Sequence, residues 1–146
     1  MRRRAVIDTN VVVGGLLTND SHSPLAFIID GMVAGHFPYL LSATLIGEYR
    51  AVLQRRKLRR LHGLTDDEID ALLIALATNG VWREPIGEGT NPGAPDAGDN
   101  HLWALLRTRE APVLVTGDQL LLQRPPAFAS VISPRSFVEW QGDSKR

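Results

Sequence analysis

The chain has 146 residues, a length that one domain fills and that buries a core without disulfides or structural metal. Cysteine is absent, which excludes disulfide scaffolds, thiolate zinc sites, iron–sulfur clusters and thiol nucleophiles, and the 44% of hydrophobic residues is an ordinary globular proportion. The formal net charge is zero and by itself points to no polyanionic partner, so residues 1–146 are expected to form a single domain with its charge information in local patterning.

The opening MRRRAVIDTNVVVGGLL has a basic start and an apolar stretch, yet it lacks a small-residue cleavage site, and Asp8 and Asn10 interrupt the apolar run. No other stretch approaches the length of a membrane span. A soluble, cytoplasmic protein is the expectation.

In chain order, AVI at 5–7 and VVV at 11–13 flank Asp8-Thr9-Asn10; this β-branched run predicts a buried parallel strand, with the polar residues where it leaves the sheet. Ser23-Pro24 supplies a cap and a first-turn proline for a helix, LAFIIDGMVAG, ending near Gly35. Pro38 to Leu41 reads as a short strand, followed by a helix capped by Ser42 or Thr44, in which Leu45, Tyr49, Val52 and Leu53 recur at helical spacing. Thr65 with Glu68 forms a capping-box pattern for a helix whose buried stripe is Ile69, Leu72, Leu73 and Leu76, ended by Asn79-Gly80. Val81-Trp82 begins a short strand, and Gly87 to Asp99 is rich in Gly, Pro and small polar residues, hence loop. A helix from about Gly98 to Arg109, a strand over Pro112 to Val115, a short helix at Leu120 to Leu122, an edge strand at Ser130 to Ser133 and a terminal turn or helix at Pro134 to Trp140 complete the reading. Alternating strands and helices imply an α/β fold with a mostly parallel sheet, whose sites form beyond the carboxyl ends of the strands.

Four acids stand where acids need a reason. Asp8 and Asp118 lie at or near the exits of strongly apolar strands, which a parallel sheet delivers to one edge. Glu48 follows Leu45 by three residues and precedes Val52 by four, and Asp99 precedes Leu102, Trp103 and Leu106 at helical spacing, so both flank apolar faces. Carboxylates so placed are rarely buried unless paired or bound to metal. Each has a plainer explanation too: Asp8 and Asp118 as caps, Asp99 as a favourable charge at a helix start, Glu48 as a half-solvated helical residue. If all four converge, protons or cations must neutralise them, and oxygen-only ligation favours Mg²⁺ or Mn²⁺. His22, His36, His62 and His101 fall in different elements, form no zinc set, and read as surface or packing residues.

Charge is unevenly distributed. Arg2 to Arg4 and the block Arg50, Arg55, Arg56, Lys57, Arg59 and Arg60 are basic, whereas Glu84, Glu88, Asp96, Asp99, Glu110 and Asp118 make 84–118 acidic. A positive rim beside a negative pocket suits a metal-dependent enzyme acting on a nucleic-acid backbone; the alternative is a solvated helix end.

These residues resemble the PIN-domain family, and especially the VapC-type toxins of bacterial toxin–antitoxin pairs. DTNVVVGGLL resembles the first family motif, with Asp8 as metal ligand and Asn10 as supporting polar residue. LSATLIGEYRAVLQR resembles the second, with Glu48 as its acid. PDAGDNHLWALL resembles the third, with Asp99 as ligand and Asp96 as the additional upstream acid, and VLVTGDQLLL the fourth, with Thr116 and Asp118 as its polar residue and acid. The resemblance covers about residues 5–133. It implies a three-layer α/β/α sandwich with endoribonuclease activity on RNA, often as a homodimer and often inhibited by an antitoxin. Two departures stand out: Leu120 occupies the place of a further acid, and the acids before the third helix are thinned to Asp96 and Asp99.

On this reading Asp8, Glu48, Asp99 and Asp118 hold one or two Mg²⁺ or Mn²⁺ ions, a cation-activated water attacks phosphorus in line, and no protein nucleophile is needed. Arg50, Arg55, Arg56 and Lys57 contact phosphate without sequence preference. The competing readings are a catalytically inactive PIN-like interaction domain and a metal-dependent phosphatase or phosphoacceptor domain. The second fits poorly, because an Asp-x-Asp nucleophile motif would need an acid at Asn10, and the only lysines are Lys57 and Lys145. Leu25, Phe27, Ile28, Ile29, Met32 and Val33 exceed one helical stripe, through either a partner surface or packing on two sides. Trp82, Trp103 and Trp140 read as packing residues.

Overall fold

In the computed structural model, which describes residues 4–84 and 93–144, five short parallel strands form the centre of an α/β/α sandwich. The strands are β1 (Ala5–Ile7), β2 (Leu40–Leu41), β3 (Val81–Trp82), β4 (Val113–Val115) and β5 (Val131–Ile132). The β1, β4 and β5 strands form one ladder and β2 and β3 another, and a parallel Ala5–Tyr39 bridge joins them in the order β3-β2-β1-β4-β5. The register pairs Ile7 with Val115 and Val115 with Ile132. Because the chain runs outward from β1 in one direction and later resumes beside it at β4, the crevice beyond their carboxyl ends is a topological switch point.

The first departure from expectation lies at Val11-Val12-Val13. These residues belong to α1 (Thr9–Leu17), which begins as soon as β1 ends. Asp8 is its N-cap, with extended backbone and Oδ1 accepting from the Thr9 N–H. β-branched residues are indifferent helix formers, but burial outweighs propensity here: Val11 and Val12 are fully buried. The following glycine pair explains how α1 docks. A Cβ on Gly15 would sit 2.7 Å from both the Leu25 carbonyl oxygen and Ile29 Cγ2, so only glycine lets α1 lie this close to α2 (Pro24–Ala34).

Ser23 caps α2 and Gly35 ends it with a left-handed φ of 71°. Within α2, Ile28, Ile29 and Met32 are buried, against α1, α5 (Asp66–Asn79) and α8 (Pro134–Ser144), while Phe27 and Val33 remain exposed. Packing on more than one side therefore accounts for most of its apolar excess. Ser42 caps α3 (Ala43–Leu53), its Oγ accepting from the Leu45 N–H. The basic block forms a separate helix, α4 (Arg56–His62), ended by Gly63 at a φ of 69°. The Thr65–Glu68 capping box opens α5 with both reciprocal bonds made.

The predicted loop over 87–99 lies partly outside the described residues; its end is a single 3₁₀ turn, Ala97–Asp99, leading into α6 (Asn100–Leu106). This helix is shorter than the reading to Arg109. The last elements, α7 (Gln119–Gln123), β5 and α8, fall where expected. Trp103 is buried, and Trp140 packs edge-on to Phe137. Trp82 is exposed, with its indole N–H donating to the Ala77 carbonyl. Among the described residues, no helix is long and apolar enough to cross a membrane.

Candidate functional site

At the switch point, β1 delivers Asp8 and β4 delivers Thr116 side by side. Asp8 is only 6% exposed and accepts three hydrogen bonds. The Thr9 backbone N–H donates to Oδ1 at 2.8 Å, while Thr116 Oγ1 at 2.8 Å and Asn10 Nδ2 at 3.1 Å donate to Oδ2. Thr116 is fully buried, and its hydroxyl oxygen accepts in turn from Asn10 Nδ2 at 3.2 Å and from the Asp118 N–H at 3.0 Å. Asn10 closes the ring by accepting from the Gly117 N–H at 2.9 Å. The first and fourth motif segments are thus stitched together through polar atoms whose donor and acceptor roles are mutually consistent.

Glu48 comes from α3, and its neighbour sets its height over the sheet. Tyr49 is fully buried and donates its hydroxyl to the Ile7 carbonyl at 2.5 Å, which anchors α3 to the end of β1. Glu48 Oε2 then accepts from Thr9 Oγ1 at 2.7 Å. Asp99 arrives at the junction of the 3₁₀ turn and α6 without capping either through its side chain, whereas Asp96 caps the turn through the Gly98 N–H. Asp118 caps α7 through the Leu120 N–H. For Asp8 and Asp118 the capping explanation therefore holds alongside any other role, and Asp96 caps as well.

The four acids and Asp96 line one cavity of about 380 Å³, together with Thr9, Asn10 and Arg55. The acids sense one another. Burial raises the Asp8 carboxyl above its ordinary value, against the lowering effect of the Thr116 and Thr9 hydrogen bonds, and the negative charges of Glu48 and Asp118 add to the rise. Asp99 is pushed up to about 6, first by burial and then by Asp8, Asp96, Glu48 and Asp118. Such perturbation of Asp8 and Asp99 by burial and neighbouring carboxylates marks a site where an added cation would relieve repulsion.

A model of the PIN domain matches residues 4–120. The chain belongs to the PIN-domain family. No curated protein sequence matches this chain significantly. The matched segment includes the first three motif stretches and the fourth as far as Leu120, and the α/β/α sandwich agrees with the PIN fold.

Not every charge of the acidic stretch enters the PIN-domain cavity. Glu110 lies between Arg83 and Arg4, at 2.5 and 3.4 Å, and Glu84 accepts from the Ala43 N–H at the start of α3. Glu88, Arg2 and Arg3 lie outside the described residues. The four basic candidates also separate. Arg55 lines the cavity and Arg56 and Lys57 are exposed beside it in sequence, but Arg50 is ion-paired with Asp70 at 2.6 Å and lines a different groove with Ile46, Ile74 and Trp82.

Sequence reasoning passed over three residues of this network. Thr9 reads in the sequence only as one of the polar residues where the first strand leaves the sheet, yet it bonds both Asp8 and Glu48. Tyr49 looked like one apolar position of a stripe. His101 looked like an ordinary histidine, yet its Nε2 lies 3.4 Å from Glu48 Oε2. His62 is a packing residue, bonded to the Leu53 carbonyl and the Leu64 N–H. Leu120 is exposed and contributes its N–H to Asp118.

The donors suit a hard cation in kind. In position, no three His, Cys, Asp or Glu side chains among the described residues are arranged as a ready-made metal cage. The hydrogen bonds give a physical reason: both Asp8 oxygens and Glu48 Oε2 are already engaged by protein donors. A Mg²⁺ site does not require three converging carboxylates, since this ion keeps several waters and commonly takes one or two direct acidic ligands. A cavity lined by five acids fits that arrangement.

Proposed function

We propose that this PIN domain is a Mg²⁺- or Mn²⁺-dependent endoribonuclease, with Asp8, Glu48, Asp99 and Asp118 holding one or two ions, some through water. The observation that carries the reading is the shared cavity at the β1–β4 exits, lined by four acids from distant chain segments, where burial and the neighbouring carboxylates raise the proton affinity of Asp8 and Asp99. A bound divalent cation supplies positive charge for the phosphodiester and a water of lowered pKa.

The protein's own part is orientation. Thr116 and Asn10 hold Asp8 in one rotamer, and Tyr49 holds α3 and with it Glu48. Asp96, exposed at the rim, orients outer-shell water. Arg55, on the cavity wall, offers a guanidinium to a phosphate oxygen, and Arg56 and Lys57 extend the positive rim. RNA as the substrate, the toxin role, an antitoxin partner and a homodimer are inferences from the family resemblance.

The competing reading, a catalytically inactive PIN-like domain that works by binding, draws on the absence of a preformed three-ligand cage among the described residues. One experiment separates the two. The purified chain is titrated with Mn²⁺ in a calorimeter and incubated with mixed-sequence RNA, with and without chelator. Saturable Mn²⁺ binding and chelator-sensitive cleavage, both lost in folded Asp8→Asn and Asp118→Asn, are expected, with rates down about 100-fold or more. Unchanged turnover in those variants refutes the assignment, and no Mn²⁺ binding by the wild type favours the inactive domain.

A further inference from the structure

Among the side chains around the cavity, His101 is the one whose surroundings the reading above leaves unexplained. It lies on α6, only 15% of its side chain is exposed, and its Nδ1 is buried with no hydrogen-bond partner among the described residues. A buried polar atom left unpaired is uncommon and destabilising. Its neighbours Leu102, Leu105 and Leu106 are buried hydrocarbon, so a leucine at 101 would avoid that penalty. What the imidazole has and leucine lacks is Nε2, which lies 3.4 Å from Glu48 Oε2. The same oxygen accepts from Thr9 Oγ1 at 2.7 Å, and Thr9 is itself buried.

A hydroxyl donor from one helix and an imidazole nitrogen from another therefore lie against one oxygen of a third. Among the described residues the acceptor facing the ring lies on the Nε2 side, and a ring N–H placed there would leave Nδ1 as a lone pair, a less costly orphan than a buried N–H. We infer that Thr9 and His101 are positioning residues that clamp Oε2 of Glu48 between α1 and α6, dedicating Oε1 to the cavity. The inference rests on the cation-binding reading above and says how one of its ligands is oriented. Partners of this kind fix the rotamer of a ligating group, and their loss typically weakens metal binding about 10–100-fold.

The test uses the full chain, stripped of metal and titrated with Mn²⁺ alone, in wild type, His101→Leu, His101→Gln, Thr9→Val and Glu48→Gln. His101→Leu fills the space but removes the donor, and His101→Gln restores an N–H of similar reach. We expect His101→Leu and Thr9→Val to weaken Mn²⁺ binding about 10–100-fold. His101→Gln should regain most of the affinity, and the melting temperature of His101→Leu in chelator should stay level or rise. A His101→Leu protein that binds Mn²⁺ as wild type does, while Glu48→Gln has lost it, overturns the clamp and leaves the cation reading standing. A wild-type protein that binds no Mn²⁺ overturns the cation reading and the clamp with it. Should His101→Leu not fold, Thr9→Val decides, and undiminished affinity there overturns the clamp.

Discussion

Thr116 Oγ1 donates to Asp8 Oδ2 at 2.8 Å, joining residues 108 apart in the chain at the neighbouring ends of two parallel strands. The bond is fully shielded on the threonine side, so water cannot replace it. Thr116→Val keeps the shape but leaves Asp8 short of a donor and the Asp118 N–H without its acceptor. We expect a loss of about 2 kcal/mol in urea unfolding at neutral pH, together with weaker Mn²⁺ binding. A variant as stable as wild type would show that the bond contributes nothing net.

The raised proton affinity of Asp99 has a definite sign in stability. The folded protein holds this proton to about pH 6, whereas the unfolded chain releases it near 3.8. Between those values the folded state binds more protons, so stability falls as pH rises through the window, and Asp8 contributes in the same direction. Discounted for partial solvent exposure, the Asp99 share is on the order of 1 kcal/mol. In chelator, Asp99→Asn should flatten this slope and melt about 2–4 °C higher than wild type at pH 7. An unchanged slope would contradict the placement of Asp99 among like charges.

Nucleic-acid binding should be electrostatic and local. Replacing Arg55, Arg56 and Lys57 by alanine is expected to weaken RNA binding and to reduce the dependence of log affinity on log salt by up to about 0.7 for each phosphate that is no longer neutralised. Arg50→Ala should leave the slope unaltered, because Arg50 already faces Asp70 in a different groove. Filter binding of a single-stranded RNA at several salt concentrations checks both. Equal effects from Arg50 and Arg55 would count against the cavity rim as the docking surface.

Gly15 sets the separation of α1 and α2. A methyl there meets a backbone carbonyl oxygen and the branched carbon of Ile29 at 2.7 and 2.9 Å, neither of which yields easily. Gly15→Ala should therefore destabilise by about 1–3 kcal/mol despite alanine's better helix propensity. A stabilised variant in chemical denaturation would show that α2 moves freely.

Much of the architecture was legible because its signals are local. The Thr65–Glu68 box, the Ser23-Pro24 start and the Pro112 to Val115 run each depend on neighbours within a few residues, and each is present. Val11 to Val13 misled for the opposite reason: their local preference is extended, and only the pocket formed by distant elements makes a helix the better place to bury them. The break between α3 and α4 at Gln54-Arg55 went unread, since no glycine or proline announces it.

The acids themselves were found by position, through their nearness to strand ends and apolar helix faces and through the order of four motifs. By itself the sequence determined the alternation of strands and helices, the absence of thiol chemistry and the identity of the acids, all properties of residue type and short-range spacing. Only the tertiary structure decided which groups meet: that Thr9 bridges Asp8 and Glu48, that His101 turns to Glu48, and that Arg55 joins the cavity while Arg50 does not. Hydrogen bonds and desolvation act over a few ångströms of space, and chain separation says little about that distance until the sheet brings its strand ends together.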